Sequence, residues 1–136
     1  MKIPSLLLAA GLALVSTFEC KAADFDGSKP FLCATVDVAS CVPGQECARE
    51  SPGTVNAPQF FIIDVDKKLV SETGTSGAAR ISKIDHVDHQ SGLLVLGGTE
   101  GATGWVATVG ESSGKLSYAV VGDRVSVVTF GACLNR

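Results

Sequence analysis

Along most of this chain apolar and polar residues alternate over short runs, and each run ends in a turn signal. In "QFFIIDVDKKLVSE" Phe61, Ile63 and Val65 share one parity, and Asp66-Lys67-Lys68 supplies a hairpin tip. "PFLCATVDV" precedes it as a first strand, and "LLVLGG", "WVATVGE", "KLSYAVV" and "RVSVVTFGAC" follow. Ser91-Gly92, "TEGATG", Ser112-Ser113-Gly114 and Gly122-Asp123 separate them. "ARISKIDHVDH" is less regular: Ile81 and Val87 share a parity that Ile84 lacks, which predicts a bulge. Apolar spacing of about 3.6 residues on good helix formers is missing, because χ1-stiff Val, Ile and Thr dominate. Short sequential hairpins predict an all-β, up-and-down barrel, closed or half-open, of roughly seven or eight strands. A two-sheet β-sandwich is the alternative. The expected core is Phe61, Ile63, Val65, Leu94, Leu96, Trp105, Val109, Leu116, Tyr118, Val127 and Phe130.

The first residues break this pattern. Lys2 precedes an apolar run from about Ile3 to Phe18, after which the chain turns small and polar. Export machinery reads that order as a signal peptide, and Cys20 and Ala22 give a small-x-small cleavage site. The run is shorter than the ~20 residues of a membrane span. Glu19 before Cys20 stands where a lipid-anchored protein needs a small residue, so no stable membrane anchor is expected. The reading is a signal peptide over residues 1–22 and one β domain over 23–136, periplasmic or secreted.

Removing Lys2, Lys21 and Glu19 takes the formal charge from −3 to −4. A mildly acidic chain without a Lys/Arg cluster lacks the cationic surface that phosphate backbones require, which excludes nucleic acid as a partner. Its few aromatics are not interleaved with cations as a base-stacking platform would need.

Four cysteines remain after cleavage, Cys33, Cys41, Cys47 and Cys133. An even count in a small exported chain reads as two disulfides, and spacing alone leaves three connectivities open. Pro43-Gly44 folds the chain back between Cys41 and Cys47, while Cys33 and Cys133 lie in the first and last strands, which meet when a sheet closes. The favoured pairs are therefore Cys33–Cys133 and Cys41–Cys47. Zinc sites use closer C-x₂₋₄-C pairs, and no C-x-x-C redox motif occurs.

Other chemistry-like motifs fail on context. Gly110-Glu111-Ser112-Ser113-Gly114 matches a hydrolase elbow, but a β-run follows it and no histidine comes after Ser112. His86 and His89 stand three apart on a strand and face opposite ways, so no metal site is expected. The glycine-rich segment from Gly97 to Gly104 lacks the G-K-[ST] ending of a phosphate cradle and reads as a turning loop. With no nucleophile, base and orienting group falling together, the chain reads as a non-enzyme without cofactor.

"FDGSKPFLCAT", "VNAPQFFIIDVDKK" and "GDRVSVVTFGAC" resemble a family of small exported bacterial β proteins of unknown function. That resemblance implies an envelope or secreted location and brings no activity with it. A second resemblance is to bacterial inhibitors of C-type lysozyme, small barrels with an early-strand cysteine, a closing C-terminal cysteine and a loop of roughly S-A-S-G-A-R-Y. Thr75-Ser76-Gly77-Ala78-Ala79-Arg80-Ile81 is similar, with one extra residue and Ile81 for the tyrosine; the family's W-x-K-G segment is absent. The likeness implies Ser76 and Arg80 as contacts to acidic groups of a partner enzyme. The expected function is thus an exported binding module for a protein or small ligand, with lysozyme inhibition or carriage of a small lipophile as alternatives. Neither the partner nor the oligomeric state follows from the sequence.

Overall fold

A computed structural model describes residues 24–74 and 78–136 of the chain. The expected signal peptide and cleavage site fall outside those residues, as do Thr75, Ser76 and Gly77. Ten strand segments follow one another, with no helix among the described residues: β1 (Phe31–Cys41), β2 (Ala48–Glu50), β3 (Phe60–Asp64), β4 (Leu69–Glu72), β5 (Ile81–Lys83), β6 (His86–Gln90), β7 (Leu93–Glu100), β8 (Thr103–Gly110), β9 (Lys115–Val121) and β10 (Ser126–Asn135). Accordingly, no described helix is long and apolar enough to cross a membrane.

The strands pair antiparallel in one sheet, in the order β5-β4-β3-β1-β10-β9-β8-β7-β6, and β2 lies against Val38–Ser40 of β1. β5 and β6 stand at the two ends of that order, yet only Ile84 and Asp85 separate them in the chain. They are halves of one bent strand. The Ile84 N–H donates to the Lys68 carbonyl at 2.9 Å on the β4 side, and the Asp85 N–H donates to the Gly97 carbonyl at 2.9 Å on the β7 side. The single sheet therefore curls back on itself as an up-and-down, half-open barrel, rather than splitting into the two layers of a sandwich. With β5–β6 taken as one stave and β2 as a flap, the ring has eight staves.

Local chemistry explains the staves. Lys68 takes a positive φ of 55° at the β3–β4 tip, and its N–H closes the turn on the Val65 carbonyl at 3.1 Å. The Asp64 carboxylate accepts the Lys67 N–H at 3.1 Å and holds the Lys67 ammonium at 2.9 Å, which keeps the Asp64 carboxyl below its ordinary range. In β1 one residue is extra: Thr35 pairs with Gly131 and Asp37 with Phe130, so Val36 bulges outward and is 75% exposed. The bulge resets the alternation. Phe31 and Cys33 point inward before it, and Val38 points inward after it, opposite Thr129.

Cys33 and Cys133 are direct cross-strand partners, their Cα atoms 4.0 Å apart, and their sulfurs are joined. Cys41 is joined to Cys47 across the turn that follows β1. These are the pairs that the turn and closure arguments favour.

Of the expected core, Phe61, Ile63, Leu94, Leu96, Trp105, Val109 and Leu116 are buried, with Val65 and Tyr118 packed against them. Val127 is half-buried, and Phe130 is a correction: it lies on the outer wall, 49% exposed. The inward disulfide at Cys133 sets the parity of β10, so Thr129 faces in and Phe130 faces out. Ile84 is fully buried at the bend between β5 and β6; the irregular parity of its segment predicts a bulge, and the strand bends there instead.

One barrel end is sealed by a residue that strand alternation does not reveal. Phe25 donates its N–H to the Glu111 carbonyl at 2.9 Å and meets the Phe31 ring edge-on, centroids 5.6 Å apart. Gly114 makes room for it: its φ is +65°, and a Cβ there would stand 2.8 Å from the Phe25 ring.

Candidate functional site

The opposite barrel end is covered by the segment between β2 and β3. Its Ala57 N–H donates to the Pro52 carbonyl at 2.8 Å. Thr35 then ties it to β1, the hydroxyl donating to the Pro58 carbonyl at 2.7 Å and the N–H to the Gln59 carbonyl at 2.9 Å. Between this segment and the inner wall lies a cavity of about 160 Å³. Val55, Ala57 and Pro58 line it from the loop, and Tyr118, Val120, Val127 and Thr129 from β9 and β10. A narrower crevice of about 30 Å³ adjoins it through Pro58, Arg80 and Tyr118, and reaches Glu72, Ser82 and Glu100.

Arg80 latches the cover to the barrel. Its guanidinium donates to the Asn56 carbonyl at 3.0 Å, and its Nε stands 3.9 Å from a Glu100 carboxylate oxygen. The Ser82 hydroxyl donates to the same carboxylate. Two polar atoms at this end are left without a partner among the described residues, Thr129 Oγ1 and Trp105 Nε1. Thr129 is 1% exposed, and its cross-strand neighbour is Tyr118. Trp105 lies across from Val120, and its ring is 5.9 Å from that of Tyr118. A buried hydroxyl left without any hydrogen bond costs about 1–3 kcal/mol, which makes the surroundings of Thr129 favourable for a polar group.

Burial pushes the Tyr118 phenol up to about 12; the Glu100 carboxylate adds to this and Arg80 opposes it. The folded protein thus holds that proton more tightly than an unfolded chain, whose tyrosine titrates near 10. Stability from this source is complete below about pH 10 and is lost as pH rises toward 12. At pH 11 the loss is expected to be about 1 kcal/mol. Tyr118 is the sole tyrosine, so tyrosinate absorbance reads it alone. A native titration near 10, or the same alkaline loss in Tyr118→Phe, would contradict this account.

The residues singled out from sequence are scattered. Ser76 lies outside the described residues, and Arg80 is engaged at the barrel mouth. Ser112 and Ser113 form the β8–β9 tip, where the Ser113 N–H donates to the Gly110 carbonyl at 3.2 Å. His89 pairs with Glu111 at 2.6 Å beside the sealed end, while His86 sits on the other parity of β6. Among the described residues no three His, Cys, Asp or Glu side chains gather as metal ligands. The expected glycine loop is a correction: Gly97 and Gly98 belong to β7 and Gly104 to β8, with only Gly101 and Ala102 between the strands. Sequence reasoning also passed over Thr129, although inward parity with Cys133 marks it as a hydroxyl inside an apolar wall.

Comparison with protein-family models, curated proteins and solved structures finds no match for this chain.

Proposed function

We propose that this protein is a non-enzymatic binding module, periplasmic or secreted, whose ligand site is the covered mouth of the barrel. The observation that carries this reading is Thr129, a buried hydroxyl without a partner among the described residues, on the wall of a cavity about 160 Å³ in volume. Convergent polar groups in an otherwise apolar recess are the usual form of a small-ligand site. The two disulfides fit an oxidising compartment. Carriage of a small lipophile within the barrel itself draws less support, because Phe25, Phe31, Phe61 and Trp105 fill its interior. Lysozyme inhibition draws less support from Arg80, whose guanidinium is spent on Asn56 and Glu100.

The test is a protein-observed NMR titration of the oxidised protein with a library of small soluble compounds. Amide shifts are expected to concentrate at Val120, Val127 and Thr129. A library without mouth shifts, together with a stoichiometric complex of C-type lysozyme perturbing only the residues flanking 75–77, would replace this reading with inhibition.

A further inference from the structure

We propose that the mouth takes a small uncharged amphiphile: one ring or short branched chain carrying a single hydroxyl or carbonyl head, with Thr129 as the partner of that head. This rests on the mouth being the ligand site, and size sets the first limit. A cavity of about 160 Å³ is close to the ~150 Å³ apolar cavity that admits one benzene. Longer chains or fused rings exceed it.

The walls set the second limit. Val55, Pro58, Val120 and Val127 present carbon to the ligand's body, so burying an apolar ring there is favourable. Thr129 contributes a hydroxyl that can donate or accept, and nothing else in the described protein uses it. Tyr118 remains a phenol beside it and offers a second polar contact from the neighbouring strand.

Charge sets the third. Arg80 already donates to the Asn56 carbonyl and faces Glu100, while Glu72 lines the adjoining crevice. One guanidinium against two carboxylates leaves no net positive field for an anion. A cation entering the cavity would meet Arg80 on its wall. An ionised head would also lose water without gaining a counter-charge, which costs far more than burying a hydroxyl that finds a partner. The uncharged head is the one that the surroundings accept.

The experiment titrates phenol, benzene and benzoate at neutral pH into the wild type, Thr129→Val and Val127→Phe, reading amide shifts and the single indole signal of Trp105. Phenol is expected to saturate with shifts at Val120, Val127 and Thr129, and benzoate to bind at least about tenfold more weakly, as an unpaired charge demands. Thr129→Val keeps the shape and removes the hydroxyl, so phenol should weaken roughly five- to tenfold, one hydrogen bond's worth, with benzene unchanged. Val127→Phe fills the cavity and should abolish binding of all three. Benzoate binding as well as phenol, or phenol indifferent to Thr129→Val, overturns the ligand class while leaving the mouth as the site. Absence of any mouth shift with the three probes, and a cavity occupied only by water in water–protein NOE spectra, overturns this inference alone. The library titration then decides the broader reading separately.

Discussion

Replacing Cys33 and Cys133 together by alanine is expected to lower the unfolding free energy by about 4–5 kcal/mol, the chain-entropy value for a long closure. The bridge spans 100 residues of sequence and joins the first and last staves of the ring. Without it, the unfolded chain regains nearly all the freedom that ring closure removes. Both cysteines are buried in the core, so the alanines also leave a small void there. Small domains have only about 5–15 kcal/mol in total, so the doubly substituted protein should melt near or below ordinary growth temperatures. Removing Cys41 and Cys47 instead should cost about 2 kcal/mol, because that bridge spans only 6 residues. Denaturant midpoints of the two double variants, each with the other bridge intact, make the comparison. Equal losses, or a larger loss from the short bridge, would show that closure entropy does not govern the difference.

The second large effect is expected at Gly98. A Cβ there would run into the Lys83 carbonyl and stand 2.8 Å from the Trp105 ring. The carbonyl belongs to the backbone of β5 and cannot swing aside as a side chain would. Gly98→Ala should therefore cost about 3 kcal/mol, at the upper end of overpacking effects. It acts on the seam where the bent β5–β6 strand passes over β7. Gly97→Ala is the control, since the nearest atom to its added Cβ lies 3.5 Å away, an ordinary contact. That variant should stay within about 0.5 kcal/mol of the parent, as surface changes usually do. Urea unfolding followed by Trp105 fluorescence measures both, and similar midpoints for the two would contradict the seam.

The alternating runs in the sequence carry the barrel because period-two patterning both makes a strand and assigns its inner face. Phe61 and Ile63, or Leu94 and Leu96, need no further information. At Phe130 hydrophobicity and parity point opposite ways, and parity prevails: counting back from the inward Cys133 places Thr129 inside and Phe130 outside. Val36 is a different case. An extra residue in a strand leaves no local mark, and only pairing with β10 shows that β1 holds one more residue than its partner needs. β2 is too short for any period, and its three residues are set by the loop that Cys41–Cys47 closes. The mouth was the least legible part. Its cover carries turn residues without a nameable motif, and the sequence carries no sign that Arg80 ties that cover down through Asn56. Nothing local announces that a carbonyl twenty-four positions upstream will stand opposite that guanidinium.

The outer wall carries Val36, Leu134 and Ile81, each more than half exposed. On an open sheet such residues beside unsatisfied backbone would invite a second molecule to add its own strand. Here the first and last members of the ladder are consecutive stretches of one segment, turned at Ile84. Among the described residues each of these two stretches still has one edge without a ladder partner, and Ile81 lies on the first, but at three and five residues with a turn between them they make a poor template for fibrous growth.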